Sequence, residues 1–439
     1  MRDLFFIAVL PAFVFFSLQR PFIALGLWVW TALFFPNGWL YGMASGLRYN
    51  LIFAGVTIVV YLASKEKTAL RLGPVGFLVI LFFIWTTLAA SFGLASSEIV
   101  WDIWGRFAKI IALFVFILLI VNKKLHADFL LWCLVMSVGF YAGLEALKYI
   151  ASGGGHRIEG MTGHILADRN ELAVAMAMLL PICFYLLGEY GERSKLIWAG
   201  LLGLIVLIVV AIVGSNSRGG LISLASVGAY LFIKSKRKIL FAALSILFVL
   251  IFSGMVPDEW FNRMDTITAA NQDSSFMGRV VAWKMSFILA MKHPFFGGGF
   301  KALEYFPVWS SLSMDFYSYP WFYTGEAVPD PMLPRAAHSI YFQVLGDQGF
   351  VGLFLFVAIL GISFVKAGKV ASKCRSSGGP AWLISLANML RLSVFAYAVG
   401  GAALSFAYFD MSFALFALII VLEYKLLPPL IKSGAPSYG

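Results

Sequence analysis

Arg335-Ala336-Ala337-His338-Ser339-Ile340-Tyr341 closes residues 256–352, the stretch whose reading decides the fold. Elsewhere the chain alternates long apolar runs with short polar joints. Over residues 257–337 it gathers charge, aromatic rings and glycines, then re-enters an apolar run through a histidine. The regular part sets the class. The 439 residues are 61% hydrophobic and 13% charged, with a mean hydropathy of +0.88. A soluble domain could not keep that much apolar surface from water. Repeated apolar runs of about 15–25 residues mean an all-α polytopic membrane protein, since about 20 residues span the hydrocarbon core. A β-barrel would show shorter, alternating segments.

Working outward from the irregular stretch, apolar runs occupy roughly 47–63, 74–93, 104–121, 127–150, 168–187, 196–213, 219–233, 239–256, 338–365, 383–406 and 410–427. Residues 4–18 and 21–35 are shorter and divided by Arg20-Pro21, so they read as one broken span or two tight passes. One crossing there puts the N-terminus inside and makes about 12 transmembrane helices. Three parts follow within one integral membrane domain. They are a bundle at 1–256, a long loop or lid with interfacial helices at 257–337, and further membrane helices at 338–439.

Net charge +11 would suit nucleic acid, but its distribution argues otherwise. Lys65/Lys67/Arg71, Lys123/Lys124, Arg193/Lys195, Lys234/Lys236/Arg237/Lys238, Lys366/Lys369/Lys373/Arg375 and Lys425/Lys432 fall on every second connection. Such joints mark a cytoplasmic face, which places residues 94–103, 151–167, 214–218 and 257–337 outside. The N-terminal run lacks a small-residue cleavage site and reads as retained. Cys133, Cys183 and Cys374 have no metal-ligand or disulfide spacing.

Arg157, Arg169 and Arg218 break the charge rule on the outer side. A guanidinium at a membrane boundary pairs, lines a polar cavity or snorkels to the interface. Arg218 sits in the turn-rich joint Gly214-Ser215-Asn216-Ser217-Arg218-Gly219-Gly220. Arg157 follows Gly153-Gly154-Gly155-His156 and could offer a forked donor to phosphate, although such glycines are also ordinary linker chemistry. Asp168, Asn170 and Glu171 suit capping of the next helix. Residues 276–292 have an apolar face interrupted by Arg279, Lys284 and Lys292, which predicts an interfacial helix ended by His293-Pro294. Tyr305 through Tyr323 is dense in aromatics, as a headgroup region or a sugar-stacking surface would be. His338 reads either as a polar cap or, beside Arg335, as a working group. Gly346, Gly349 and Gly352 beyond it leave room for close helix packing.

No phosphate-loop, nucleophile-elbow, zinc-protease or Asp-x-Asp motif is present. Arginines and one histidine on the outer face suit transfer of a group from a lipid-linked diphosphate. Arginine would hold the diphosphate, and a neutral histidine would take a proton from the attacking hydroxyl.

Several motifs in order carry a resemblance over most of the chain. They are the joint at 215–220, Gly278-Arg279 with Trp283, Pro294 with Gly297–Gly299, and Ala337-His338-Ser339-Ile340-Tyr341 with Gly346, Gly349 and Gly352. Together they resemble the O-antigen ligase family. Met1-Arg2-Asp3-Leu4-Phe5-Phe6 and Arg20-Pro21-Phe22 also resemble O-glycosylation ligases found beside exosortase systems. The resemblance implies a GT-C-like inner-membrane glycosyltransferase that needs no metal or cofactor and inverts the anomeric centre. It would move a glycan from undecaprenyl diphosphate to the lipid A–core oligosaccharide in lipopolysaccharide biosynthesis, on the periplasmic side. The implied partners are that donor, that acceptor and membrane lipids, without nucleic acid. His338 would be the general base, and Arg218 and Arg279 match the family's functional arginines. Arg157 and Arg335 join them from charge placement alone. Ser339 departs from the usual Asn. O-antigen polymerases and protein O-oligosaccharyltransferases share the donor and are the alternatives. A lipid-linked glycan transporter is a rival of another class, but no inverted repeat supports it.

Overall fold

The computed structural model describes residues 2–65, 67–235, 274–322, 324–325 and 327–432, with scattered positions between 238 and 246. Every regular element among them is helical. Most of the expected span 239–256, and the 256/257 boundary, lie outside the described residues.

The N-terminal ambiguity resolves into a hairpin. Helix α1 (Arg2–Gln19) and α2 (Pro21–Phe34) are divided at Arg20, which is extended at φ −145°, ψ 125°. A residue before proline avoids the helical region, and Pro21 then starts the next helix with its φ preset. Phe6 and Phe13 of α1 both meet Trp30, near the far end of α2, at ring-centroid distances of 6.1 and 5.8 Å. The two helices are therefore antiparallel. The Asp3 carboxylate accepts the Tyr41 N–H at 2.7 Å, beyond the far end of α2. Residues 1–35 thus form two antiparallel helices, the second of the two readings the sequence offered, and return the chain to the end of the bundle at which it began. The 20-residue rule under-reads α2 because it has only 14 residues.

After a short α3 (Pro36–Trp39) come α4 (Tyr49–Ala63), α5 (Gly73–Ser91), α6 (Ser97–Ile120), α7 (Lys124–Ala151), α8 (Arg169–Tyr190), α9 (Lys195–Gly214) and α10 (Arg218–Lys234). Then come α11 (Ser274–Lys292), α12 (Phe306–Met314), α13 (Ile340–Ser376), α14 (Ala381–Gly400) and α15 (Asp410–Val421). The last runs on through a π turn to a short α16 (Leu427–Lys432). Among the described residues nine helices are long and apolar enough to cross a membrane, and α2 and α4 are shorter apolar helices. The protein is an all-α polytopic membrane protein. Helix α11 is not among the nine, in keeping with its three cations.

Basic joints gather at one end of the bundle. Lys124 pairs with Glu189 at 3.0 Å, Lys366 with Glu423 at 2.5 Å, and Lys425 donates to Thr68 at 2.6 Å and to the Leu118 carbonyl. The joints after α4, α6, α8 and α13 thus share a face with the C-terminal end. The opposite face receives the ends of α8, α10, α11 and α13 that build the candidate site.

Helix α8 is the axis of the bundle. Every residue from Leu172 to Cys183 is buried, packed by α7, α9, α10 and α14. Small residues allow the approach: a Cβ on Gly220 of α10 would fall 2.5 Å from Ala173 Cβ, and one on Gly400 would fall 2.8 Å from Val174 Cγ2. Such close contact is how apolar helices associate without a hydrophobic drive between them. One apolar core runs from Phe6 to Leu427 and includes residues on both sides of the long loop. The loop has a separate small core that includes Val281, Met285, Leu303, Trp309 and Phe316.

Candidate functional site

The site stands where the rigid end of α8 meets the first turns of α10 and α13 and the segment after α14. Asp168 starts α8 as its N-cap, accepting from the Asn170 N–H at 2.7 Å and from Asn170 Nδ2 at 2.8 Å. Capping is therefore what these residues do, and it leaves a carboxylate at the edge of the site. Burial pushes that carboxyl up, but hydrogen bonds with Glu171 and Asn170, and the nearby Arg169, hold it below its usual range.

In the 214–220 joint, Asn216 turns the chain in the left-handed region at φ 53°. Ser217 then caps α10, accepting the Gly220 N–H at 3.1 Å. This leaves Arg218 at the first position of α10. Gly219 beside it lies against the Gly400 carbonyl, Ala403 and Leu404. The same segment receives Arg279 of α11, whose Nη1 donates to the Ala403 carbonyl at 3.3 Å. It also receives His338, whose N–H donates to Ser405 Oγ at 2.8 Å. Residues 400–405 thus lie under Arg279, His338 and Gly219, the neighbour of Arg218.

Arg335 joins from the other side. Its guanidinium lies over the backbone of Gly278, where a Cβ would collide with Nη1. This explains why a glycine precedes Arg279: it leaves the space through which a second cation reaches the first. Trp283, one turn on, stacks on Phe342 of α13 at 5.3 Å and 5°, fixing α11 against the start of that helix.

His338 itself has φ 47°, a conformation in which a non-glycine residue is uncommon. Ala337 and Ser339 on either side are buried while His338 is exposed, so the kink turns one side chain out between two that are anchored. Ser339, not His338, occupies the N-cap position of α13, and its side chain makes no capping bond. Tyr341 OH donates to the Ala398 carbonyl at 2.8 Å, and Gln343 Oε1 accepts from the Ala407 N–H at 3.0 Å, tying this turn to α14 and to the segment between α14 and α15. Although His338 is exposed overall, partial loss of hydration around the imidazole first, then Arg279 and, more weakly, Arg335, hold it below its usual range, against Asp168 and Glu304. A neutral imidazole beside two guanidiniums can accept a proton while an anion binds next to it.

The glycine-rich turn after α11 does more than release the chain. Gly298 and Gly299 donate to the carbonyls of Gly346 and Asp347 at 2.8 and 2.9 Å, and Phe350 donates back to Pro294 at 2.9 Å. Helix α13 is broken there at Gly349, with φ 68° and ψ −169°. The packing room expected of Gly349 is thus a break in the helix, into which residues 294–299 insert. His293 ends α11 as expected, its N–H bonded to Leu289 at 2.9 Å.

Arg157 is placed differently from the other three arginines. It pairs with Glu159 at 2.6 Å, and both side chains are exposed. No described contact links it to His338. The aromatic stretch is also partly internal. Trp309 is fully buried, donating to the Asp330 carbonyl at 2.7 Å, while Tyr317 and Trp321 stay exposed. Tyr323 lies outside the described residues. Ser405 and Glu304 were missed by sequence reasoning, since neither stands in a motif and only the fold brings them to His338.

Residues 203–357 match the family model described as O-antigen ligase, and residues 1–190 match that of a family of unknown function. No curated protein matches the chain. The first match takes in Arg218, Arg279, the inserted glycines, Arg335, His338 and the break in α13. Over residues 203–357, which carry the three site arginines and His338, the chain is similar to the O-antigen ligase family.

Proposed function

We propose that the protein transfers a glycan from undecaprenyl diphosphate to a hydroxyl of the lipid A–core oligosaccharide, on the periplasmic side of the bacterial inner membrane, with inversion at the anomeric carbon. The observation that carries this reading is His338, turned outward by a left-handed backbone beside Arg279 and Arg335. The acceptor O–H gives its proton to the imidazole as its oxygen bonds to the anomeric carbon. The bond from that carbon to the diphosphate oxygen breaks, and the diphosphate leaves with one more negative charge. Arg279, over the 400–405 segment, and Arg218, whose neighbour Gly219 packs on the same segment, would meet that charge with forked donors, with Arg335 alongside. Arg157, committed to Glu159, has no part in this scheme.

The test is transfer in vitro, with purified protein, undecaprenyl-diphosphate-linked glycan and lipid A–core acceptor. General-base catalysis contributes about 10²–10⁴-fold, so His338→Ala is expected to lose at least about a hundredfold in rate while remaining monodisperse in detergent. Near wild-type transfer by that variant refutes the base. Transfer by the wild type to a pilin-like protein, and none to the core, refutes the acceptor.

A further inference from the structure

The geometry points to a second anion site, at the lysine-rich end of the bundle, built to hold the phosphate of an anionic phospholipid. A cavity of about 740 Å³ opens where the α1–α2 turn, the end of α4 and the α6–α7 joint meet. Arg20, Lys65, Lys123 and His126 line it, and no carboxylate does so among the described residues.

Two helices begin at this cavity, α2 of 14 residues and α7 of 28 residues. Neither has a side-chain cap: Arg20 and Lys123 occupy the N-cap positions without accepting a bond from the following turn. The first carbonyl-bonded amides are Ile23 and His126, which bond back to Arg20 and Lys123. The amides of Phe22, Lys124 and Leu125 therefore have no acceptor within their helices. Uncapped helix starts carry partial positive charge and N–H donors, which is how helix N-termini bind phosphate. Here the cavity, its cationic lining and two such starts coincide.

The apolar part of the lining says which phosphate compound fits. Leu18, Val59 and Leu125 are exposed large apolar residues on the cavity wall. A free phosphate has no use for them. An acyl chain does, lying along α1 and α4 with its phosphate at the helix starts. This face also carries the basic joints, and such residues attract anionic lipids at a membrane surface. The site is at the opposite end of the bundle from His338, so it binds without entering the proposed chemistry.

The experiment is native mass spectrometry of the full chain in detergent, titrated with phosphatidylglycerol or phosphatidylcholine of matched chains. Wild type is expected to retain phosphatidylglycerol in preference, and Arg20→Gln/Lys65→Gln is expected to lose that preference by about tenfold. Lys67→Gln, just beyond the cavity lining, is expected to keep it. Should the double variant fail to fold, the wild type alone decides, because a charge-based preference falls as salt is raised. Equal retention of both lipids, or a preference untouched by the double variant and by salt, overturns the proposal. An arm with inorganic phosphate distinguishes the source: thermal stabilisation by phosphate alone, dependent on Arg20, overturns the lipid in favour of a soluble anion.

Discussion

Gly349→Ala tests whether the glycine insertion holds the site together. Gly349 sits at φ 68°, ψ −169°, a region essentially reserved for glycine. Its missing Cβ would meet the Pro294 carbonyl oxygen at 2.6 Å and collide with that of Phe295. Neither neighbour can give way, because both are backbone. The strained conformation costs about 1–3 kcal/mol. Escape from it breaks the bonds from Gly298, Gly299 and Phe350, each worth about 0.5–1.5 kcal/mol. About 1.5–4.5 kcal/mol then stands against docking of residues 294–299, roughly a ten- to thousandfold change in the docked population. The assay pairs transfer rate with limited proteolysis of the 294–301 segment. The control is Gly361→Ala, in the same helix, where a Cβ meets nothing within 4 Å. The substitution there is expected to be neutral or slightly stabilising, by up to about 1 kcal/mol. Gly349→Ala with wild-type transfer and unchanged protease resistance would refute the insertion as a structural requirement.

Three further outcomes are expected. Arg335→Gln removes a charge that holds the His338 pKa down, so that pKa rises and the acid limb of kcat/KM moves to higher pH; Arg335→Lys keeps the limb in place. An unmoved limb in the Gln variant separates Arg335 from the imidazole. Arg218→Lys is expected to lower transfer about tenfold or more, because a point charge replaces a forked donor; full activity in a donor-titration assay assigns Arg218 to anchoring. Arg157→Gln is expected to leave both transfer and thermal midpoint near wild type, since an exposed ion pair is worth about 0–1 kcal/mol. A large loss in either measurement would bring Arg157 into the site.

Much of this architecture is legible in one sequence. Apolar length marks the long helices, lysine placement marks one face, and Asp168 announces the helix start it caps. What escapes are features created by partners distant in the chain. Gly297–Gly299 shows that the backbone there has freedom, but not that it spends its hydrogen bonds on residues 346 and 347. Gly278 reads as a weak helix position until Arg335 is seen lying over it. His338 looks like a cap because it precedes an apolar run, whereas the cap position belongs to Ser339 and the histidine is turned out by its own φ. Arg157 and Arg218 look alike by charge placement. They part because Glu159 is two residues from the first, while the second is presented by a helix start against the 400–404 floor.

The break in α13 also has a consequence for biosynthesis. The inserted turn takes its acceptors from residues 346 and 347, made some fifty residues later, and it rests on Gly93 and Ala89 at the end of α5, made two hundred earlier. Leu94 closes the arrangement by donating to Gly298 at 2.8 Å. A nascent chain halted between His338 and Gly346 therefore holds all three site arginines and the histidine and still has no seat for the turn beside them. The proposed site is therefore completed late in translation, after α13 is threaded past α5 and residues 400–405 have followed to seat Arg279 and His338.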